Sequence, residues 1–198
     1  MFISTLDLFK IGIGPSSSHT MGPMAAANTF RDEIKQYALQ DINHGHYHVH
    51  CTLKGSLAFT GKGHATDRAV TLGLHGYNPA LLVKQDVHAL TTSLWTKDTL
   101  VLDIDKRVTF QPDDDIVFDK SDPLPQHPNG MIFTLSDEHG NTILSRIYFS
   151  IGGGFICTLA EIDHLHAPLK MESNRICPWP FDSARSMLEM SQQSGLSI

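Results

Sequence analysis

Basic residues are scarce in this chain: 15 Lys and Arg stand against 21 Asp and Glu in 198 residues, a net charge of −6. They form no basic stripe, which argues against nucleic acid as a partner. Long hydrophobic runs are missing too, and nothing approaches the ~20 apolar residues of a membrane-spanning helix, so no membrane partner is expected. Met1 to Lys10 carries neither a basic n-region nor a small-residue cleavage site. It reads as a first structural element, a short helix or strand over residues 1–9, rather than a signal peptide. Cysteine is also sparse. Cys51, Cys157 and Cys177 make no CxxC pair, and three thiols without an export signal argue against a disulfide framework. A cytoplasmic protein is expected, with 41% hydrophobic residues giving enough material for one core, or one domain plus an attached piece.

What the chain has in abundance is histidine, twelve in all. Two of them sit in unusual loops. Gly14-Pro15-Ser16-Ser17-Ser18-His19-Thr20-Met21-Gly22-Pro23 places four hydroxyls and an imidazole between two Gly/Pro pairs. The run Met24-Ala25-Ala26-Ala27 then leads into Phe30, Ile34 and Tyr37, which predicts a helix from about Pro23 to Leu39 with one apolar stripe. Pro23 suits the first helical position, with Thr20 or Gly22 at or just before the N-cap. Such a loop suits a small anion, and three serines plus His-Thr exceed what capping requires. The second loop is Thr60-Gly61-Lys62-Gly63-His64-Ala65-Thr66-Asp67-Arg68. It follows a strand expected over His46–Phe59, broken at Lys54-Gly55-Ser56. It opens a helix capped by Thr66 or Asp67, with an apolar face of Ala69, Val70, Leu72 and Leu74 and a left-handed Gly76 at its end. The loop lacks Walker spacing. Both loops deliver a histidine to a helix start.

His44, His46, His48 and His50 alternate, so a strand would place them on one face, opposite Val49, Cys51 and Leu53. No carboxylate or cysteine within the run completes a metal site, so a solvated polar face is expected and no metal ligand is assigned. The acidic run Asp113-Asp114-Asp115 lacks an EF-hand glycine and also reads as solvated. Strands are expected at Leu100–Ile104 and Val108–Phe110. A hairpin is expected from Met131–Leu135 and Thr142–Phe149, running into Ser150-Ile151-Gly152-Gly153-Gly154-Phe155. Before it, His127-Pro128-Asn129 shapes a turn. Pro178-Trp179-Pro180-Phe181 reads as a connector, and Ser183–Gln192 as a helix capped by Asp182 or Ser183. Apolar residues resume at Gly195-Leu196-Ser197-Ile198, so a continuation is expected. The hairpin favours an α+β fold: a mixed, mostly antiparallel sheet with helices from Pro23 and Arg68 on one face.

The segments Pro15–Pro23, Thr60–His64 with Thr66-Asp67-Arg68, His127-Pro128-Asn129 and Ser150–Phe155 together resemble the β domain of bacterial iron–sulfur L-serine dehydratases. That β domain is in turn similar to the allosteric substrate-binding domain of some D-3-phosphoglycerate dehydrogenases. The resemblance implies residues 1–160 as the β domain and 161–198 as a connector and first helix leading into an α domain. It also implies conversion of L-serine to pyruvate and ammonia with a [4Fe-4S] cluster. Cys51, Cys157 and Cys177 match none of the cluster positions, so the cluster would be ligated outside this chain, with the α domain of the same enzyme as partner and a homodimer expected. His64 is expected as the catalytic base, with His19 as runner-up or positioning partner. Ser16, Ser17, Ser18 and Thr20 would hold the substrate carboxylate, with Lys62, Gly63, Asn129 and Gly153 completing the pocket. The alternative is a regulatory module that binds serine or another small anion and dimerises.

Overall fold

The computed structural model describes residues 13–41, 46–104, 106–165, 183–195 and 197. The element expected over 1–9, His44, Cys177 and the connector Pro178–Phe181 lie outside them. The chain divides into two units, Met1–His166 and Ala167–Ile198.

The first element among the described residues is a π-wound turn, Ser17–Met21, that continues directly into helix α1 (Gly22–Asp41). Ser16 caps it by accepting the His19 N–H, so the helical run starts earlier than Thr20 or Gly22. Strand β1 (His48–Lys54) ends at Gly55, whose φ of +56° and ψ of −129° suit only glycine. The strand expected to reach Phe59 therefore stops five residues short, and Ser56–Thr60 form the one-turn helix α2. A 3-10 turn (Gly61–His64) and a left-handed Ala65 lead into α3 (Thr66–Leu74). Ala65 holds the cap position expected for Thr66 or Asp67. Gly76 closes the helix at φ +87°, as expected.

Helix α4 (Val87–Trp95) precedes β2 (Thr99–Asp103) and β3 (Lys106–Thr109). The acidic run then forms a single helical turn, α5 (Pro112–Asp115), which leads into β4 (Ile116–Asp119). The hairpin follows as β5 (Gly130–Ser136) and β6 (Thr142–Gly152), then β7 (Phe155–Thr158) and α6 (Leu159–Leu165).

The strands make one sheet in the order β2-β3-β1-β5-β6-β7, with β4 also paired to β1. β1 pairs antiparallel with β5 along its length, from His48↔Ser136 to Leu53↔Met131. Its other edge is shared by two parallel strands in succession, β3 at His48↔Thr109 and β4 from Cys51↔Ile116 to Lys54↔Asp119. The remaining pairings are antiparallel. The expected α+β class and mostly antiparallel sheet are thus observed.

Helix α1 packs across β2, β5, β6 and β7, with α3 beside it. Phe30 and Ile34 of α1 meet Val49, Cys51 and Leu53 of β1, and Phe133 of β5, in the main core. Phe30 and Phe133 stack with centroids 5.3 Å apart, and Phe133 meets Tyr148 edge-on. Glu33 ties α1 to β6 by accepting from both Arg146 and the Tyr148 hydroxyl. In the second unit, α7 (Ala184–Ser194) starts at a Ser183–Ser186 capping box.

The contact of α1 with α3 depends on Gly73. A Cβ there would lie 2.4 Å from the Met24 carbonyl oxygen and 2.7 Å from the Ala27 Cβ. Gly73→Ala should destabilise by about 1–3 kcal/mol by urea denaturation, overriding a helix-propensity gain of about 1 kcal/mol. A Cβ on Gly63 meets nothing within 4 Å, and Gly63→Ala should shift stability by less than about 0.5 kcal/mol.

Candidate active site

The strand break at Gly55 turns the chain at the end of β1, and four loops meet there. The two histidine loops are fastened by a pair of crossed hydroxyl bonds. Thr20 Oγ1 donates to the carbonyl of His64 at 2.9 Å, and Thr66 Oγ1 donates to the carbonyl of His19 at 2.5 Å. Both threonines are buried, at 1% and 0% exposure. Thr20, expected among the carboxylate binders, has its hydroxyl turned inward to hold the second loop.

This fastening brings the two imidazoles together, ring centroids 4.8 Å apart and tilted by 41°. Their surroundings differ. Both nitrogens of His19 are engaged, Nδ1 with Ser18 Oγ at 2.9 Å and Nε2 with Ser56 Oγ at 3.0 Å. His64 Nδ1 lies 2.9 Å from the Thr60 carbonyl. A carbonyl only accepts, so Nδ1 carries the hydrogen, and in the neutral form of the ring Nε2 presents a lone pair. Among the described residues that Nε2 has no hydrogen-bond partner. Burial, and next the adjacent His64, lower the His19 pKa below the ordinary 6.5, so that imidazole is neutral at pH 7.

Ser56, not singled out in the sequence, is the hub. Its N–H donates to the Pro128 carbonyl at 2.8 Å, its side chain meets His19, and its own carbonyl accepts the Thr60 hydroxyl at 2.8 Å. The glycine immediately before it was the available signal: a Gly55 Cβ would lie 2.3 Å from the Pro128 oxygen. Lys54 steadies the turn by donating to Asp119 and Ser121, both at 2.7 Å. His127 Nδ1 accepts the Asn129 N–H, shaping the proline turn. Asn129 Nδ2 donates to the Ser150 carbonyl at 3.1 Å, which joins the third loop to the glycine-rich end of β6. Ser150 in turn abuts Gly22, where a Cβ would lie 1.9 Å from its Oγ. The four loops thus form a closed ring of contacts.

The remaining expected site residues fall at different distances from this pair. Ser16 is occupied as the cap of the π turn, whereas Ser17 is exposed beside it. Ser18 supports His19. Lys62 reaches away to Asp67 Oδ2 at 2.8 Å, with its ammonium 5.0 Å from the Phe118 ring centroid. Lys62 and Gly63 line a cleft of about 650 Å³ with Arg68, His88 and Trp95. Gly153, at φ +60°, packs against the Phe155 ring, which would stand 2.9 Å from a Cβ there.

Residues 4–161 match the family described as serine dehydratase beta chain, and the chain belongs to that family. It is 36% identical to the L-serine dehydratase of Streptomyces coelicolor over 198 residues, all of this chain and 42% of that protein. To those of Helicobacter pylori and Escherichia coli it is 37% identical over 195 and 196 residues, covering 98% and 99% of this chain and 41% of each relative. The chain therefore spans about two fifths of the length of these relatives. No helix among the described residues is long and apolar enough to cross a membrane.

The described cysteines do not fit an iron–sulfur cluster, which needs thiolates converging on one point. Cys51 lies at 0% exposure in the main core, its thiol pushed far up by burial. Cys157 sits in a separate core, its pKa raised to about 11 by burial and then by Glu161.

The His19–His64 contact is open to measurement by NMR titration. A pKa lowered by folding means that the folded state binds protons less well, so His19 favours unfolding as the pH falls below the unfolded value near 6.5. In His64→Ala the His19 pKa should rise but stay below 6.5, because burial, the larger cause, remains. An unchanged value would show that the two rings do not interact.

Proposed function

We propose that this chain forms the β-domain part of an L-serine dehydratase, a lyase converting L-serine to pyruvate and ammonia. The observation that carries this reading is the contact of His64 Nδ1 with the Thr60 carbonyl, beside the His19 ring. That contact commits the Nδ1 hydrogen, which in the neutral form of His64 leaves an unengaged Nε2 lone pair beside a neutral partner ring. Family membership and the names of the relatives supply the substrate.

On this reading His64 Nε2 removes the α-proton of L-serine as hydroxide leaves the β-carbon. The resulting 2-aminoacrylate takes a proton at the β-carbon to give the imine, and water hydrolyses that to pyruvate and ammonia. His19, held at both nitrogens by serine hydroxyls, positions His64 and keeps positive charge away from it. The exposed Ser17 hydroxyl and the Ser18 hydroxyl face the substrate carboxylate. Ser16 and Thr20 act indirectly, by shaping the loop. Asn129 and Gly153 form the wall, and Lys62 and Gly63 the outer rim. The [4Fe-4S] cluster implied by the resemblance has no ligands among the described cysteines. It belongs to the further length carried by the relatives, an α domain packed against this edge, in a cytoplasmic enzyme that dimerises. Phe59, 63% exposed on α2, offers that domain an apolar contact.

The test uses the chain joined to the remaining portion its relatives carry, assayed anaerobically for serine-dependent pyruvate formation. His64→Ala should lower kcat by about 10²-fold or more, since general base catalysis contributes that much. Near-normal turnover would remove His64 as the base and favour a regulatory anion-binding module. Ser17→Ala should raise KM more than it lowers kcat, the mark of ground-state binding.

A further inference from the structure

The alternating histidines have a partner that their own stretch of sequence does not contain. His48 and His50 lie on the face of β1 opposite Val49, Cys51 and Leu53, their ring centroids 4.2 Å apart. The pairing change on the neighbouring edge, from β3 to β4, is bridged by the turn Pro112–Asp115. That turn places Asp115 between the two rings. His48 Nε2 lies 2.8 Å from Asp115 Oδ2, and His50 Nε2 lies 3.1 Å from Oδ1. Asp115 is therefore not part of a solvated acidic face. Its side chain is 2% exposed, while those of His48 and His50 are 40% and 41% exposed.

We propose that His48, His50 and Asp115 form a binding site for a divalent first-row transition metal ion, with zinc the ion that fits the ligand set. One atom from each residue converges so that all three lie within 4.8 Å of one another. Tetrahedral zinc, with bonds of about 2.0–2.1 Å, holds its ligand atoms about 3.3 Å apart, so small ring rotations bring the three onto an ion. Each Nε2 then exchanges its contact with the carboxylate for the ion, and its hydrogen moves to Nδ1. Two imidazoles and one carboxylate select zinc, copper or nickel over magnesium and calcium, which prefer all-oxygen shells. The carboxylate is already oriented: Asp115 Oδ2 accepts the Gln111 N–H at 2.6 Å, the kind of supporting bond that ligating carboxylates carry. A bound cation would also neutralise a charge that is otherwise held almost out of solvent.

Three protein ligands leave a fourth position on the exposed side, open to water or another donor. The ion would clamp β1 to the turn between β3 and β4, where strand pairing is interrupted. The site is separate from the His19–His64 pair. From His48 to the end of β1 is about 20 Å at ~3.3 Å per strand residue, and the catalytic loops lie beyond that end.

The metal-stripped chain should be titrated with zinc against a chromophoric competitor, and with cobalt(II) followed by its visible absorption. The expected result is one equivalent bound and a tetrahedral cobalt spectrum, with zinc raising the melting temperature through preferential binding to the folded state. His50→Gln should weaken zinc binding at least about tenfold, because loss of even an outer-shell partner costs that much. Its ring is 41% exposed, so the fold tolerates the change. Asp115→Asn should weaken binding likewise, whereas His139→Gln, at the exposed hairpin tip, should leave it unchanged. The proposal is overturned if the His48→Gln/His50→Gln double variant binds zinc as tightly as the parent, or if neither ion binds at one equivalent. In that case the three residues are a hydrogen-bonded cluster alone.

Discussion

The site rests on two hydroxyl-to-carbonyl bonds that cross. Thr20 reaches from the first loop to the carbonyl of His64, and Thr66 reaches from the second to the carbonyl of His19. Each bond holds the backbone of one of the two paired histidines. Loss of either hydroxyl removes one of the two bonds joining the loops, a cost of about 0.5–1.5 kcal/mol. The imidazoles are therefore set by the backbone rather than by their own contacts alone. That is the condition for a base that must meet an α-proton with little rearrangement.

The sheet is what lets the loops converge. β1 is flanked by β5 on one side and by β3 and then β4 on the other, so its end at Lys54 is fixed from both edges. Gly55 then turns the chain under Pro128, and the end of the hairpin is brought back to Gly22 through Ser150. Gly22, against the Ser150 side chain, and Gly55, against the Pro128 carbonyl, leave no room for side chains of their own. The same strand carries His48 and His50 at its other end, where the β3–β4 interruption supplies Asp115.

Much of this was legible in the sequence, and the misses have physical reasons. The hairpin from Gly130 to Gly152 and the left-handed Gly76 followed from alternation and from glycine's conformational freedom. The first helix was recognised, but its π-wound start was not, because the capping hydroxyl of Ser16 is indistinguishable by type from its neighbours. The break at Lys54-Gly55-Ser56 is legible, but Leu57, Ala58 and Phe59 are apolar enough to suggest that the strand resumes, whereas a helical turn follows Gly55, which lies against Pro128, 73 residues away. Among the site residues, the pairing of His19 with His64 agrees with their shared loop pattern. Ser56 as hub and Asp115 as histidine partner were not readable, since each contact spans dozens of residues.

The π turn carries one further implication. Winding by i→i+5 bonds, as from the Gly22 N–H to the Ser17 carbonyl, fits one more residue into a turn than an α-helix does. Residues before the turn are thereby rotated about the helix axis relative to an uninterrupted helix. Deleting one residue from Ser16–Ser18 would allow ordinary winding but swing His19 away from Ser56. The serine run thus acts as a phase setting for the imidazole, and its length matters as much as its hydroxyls.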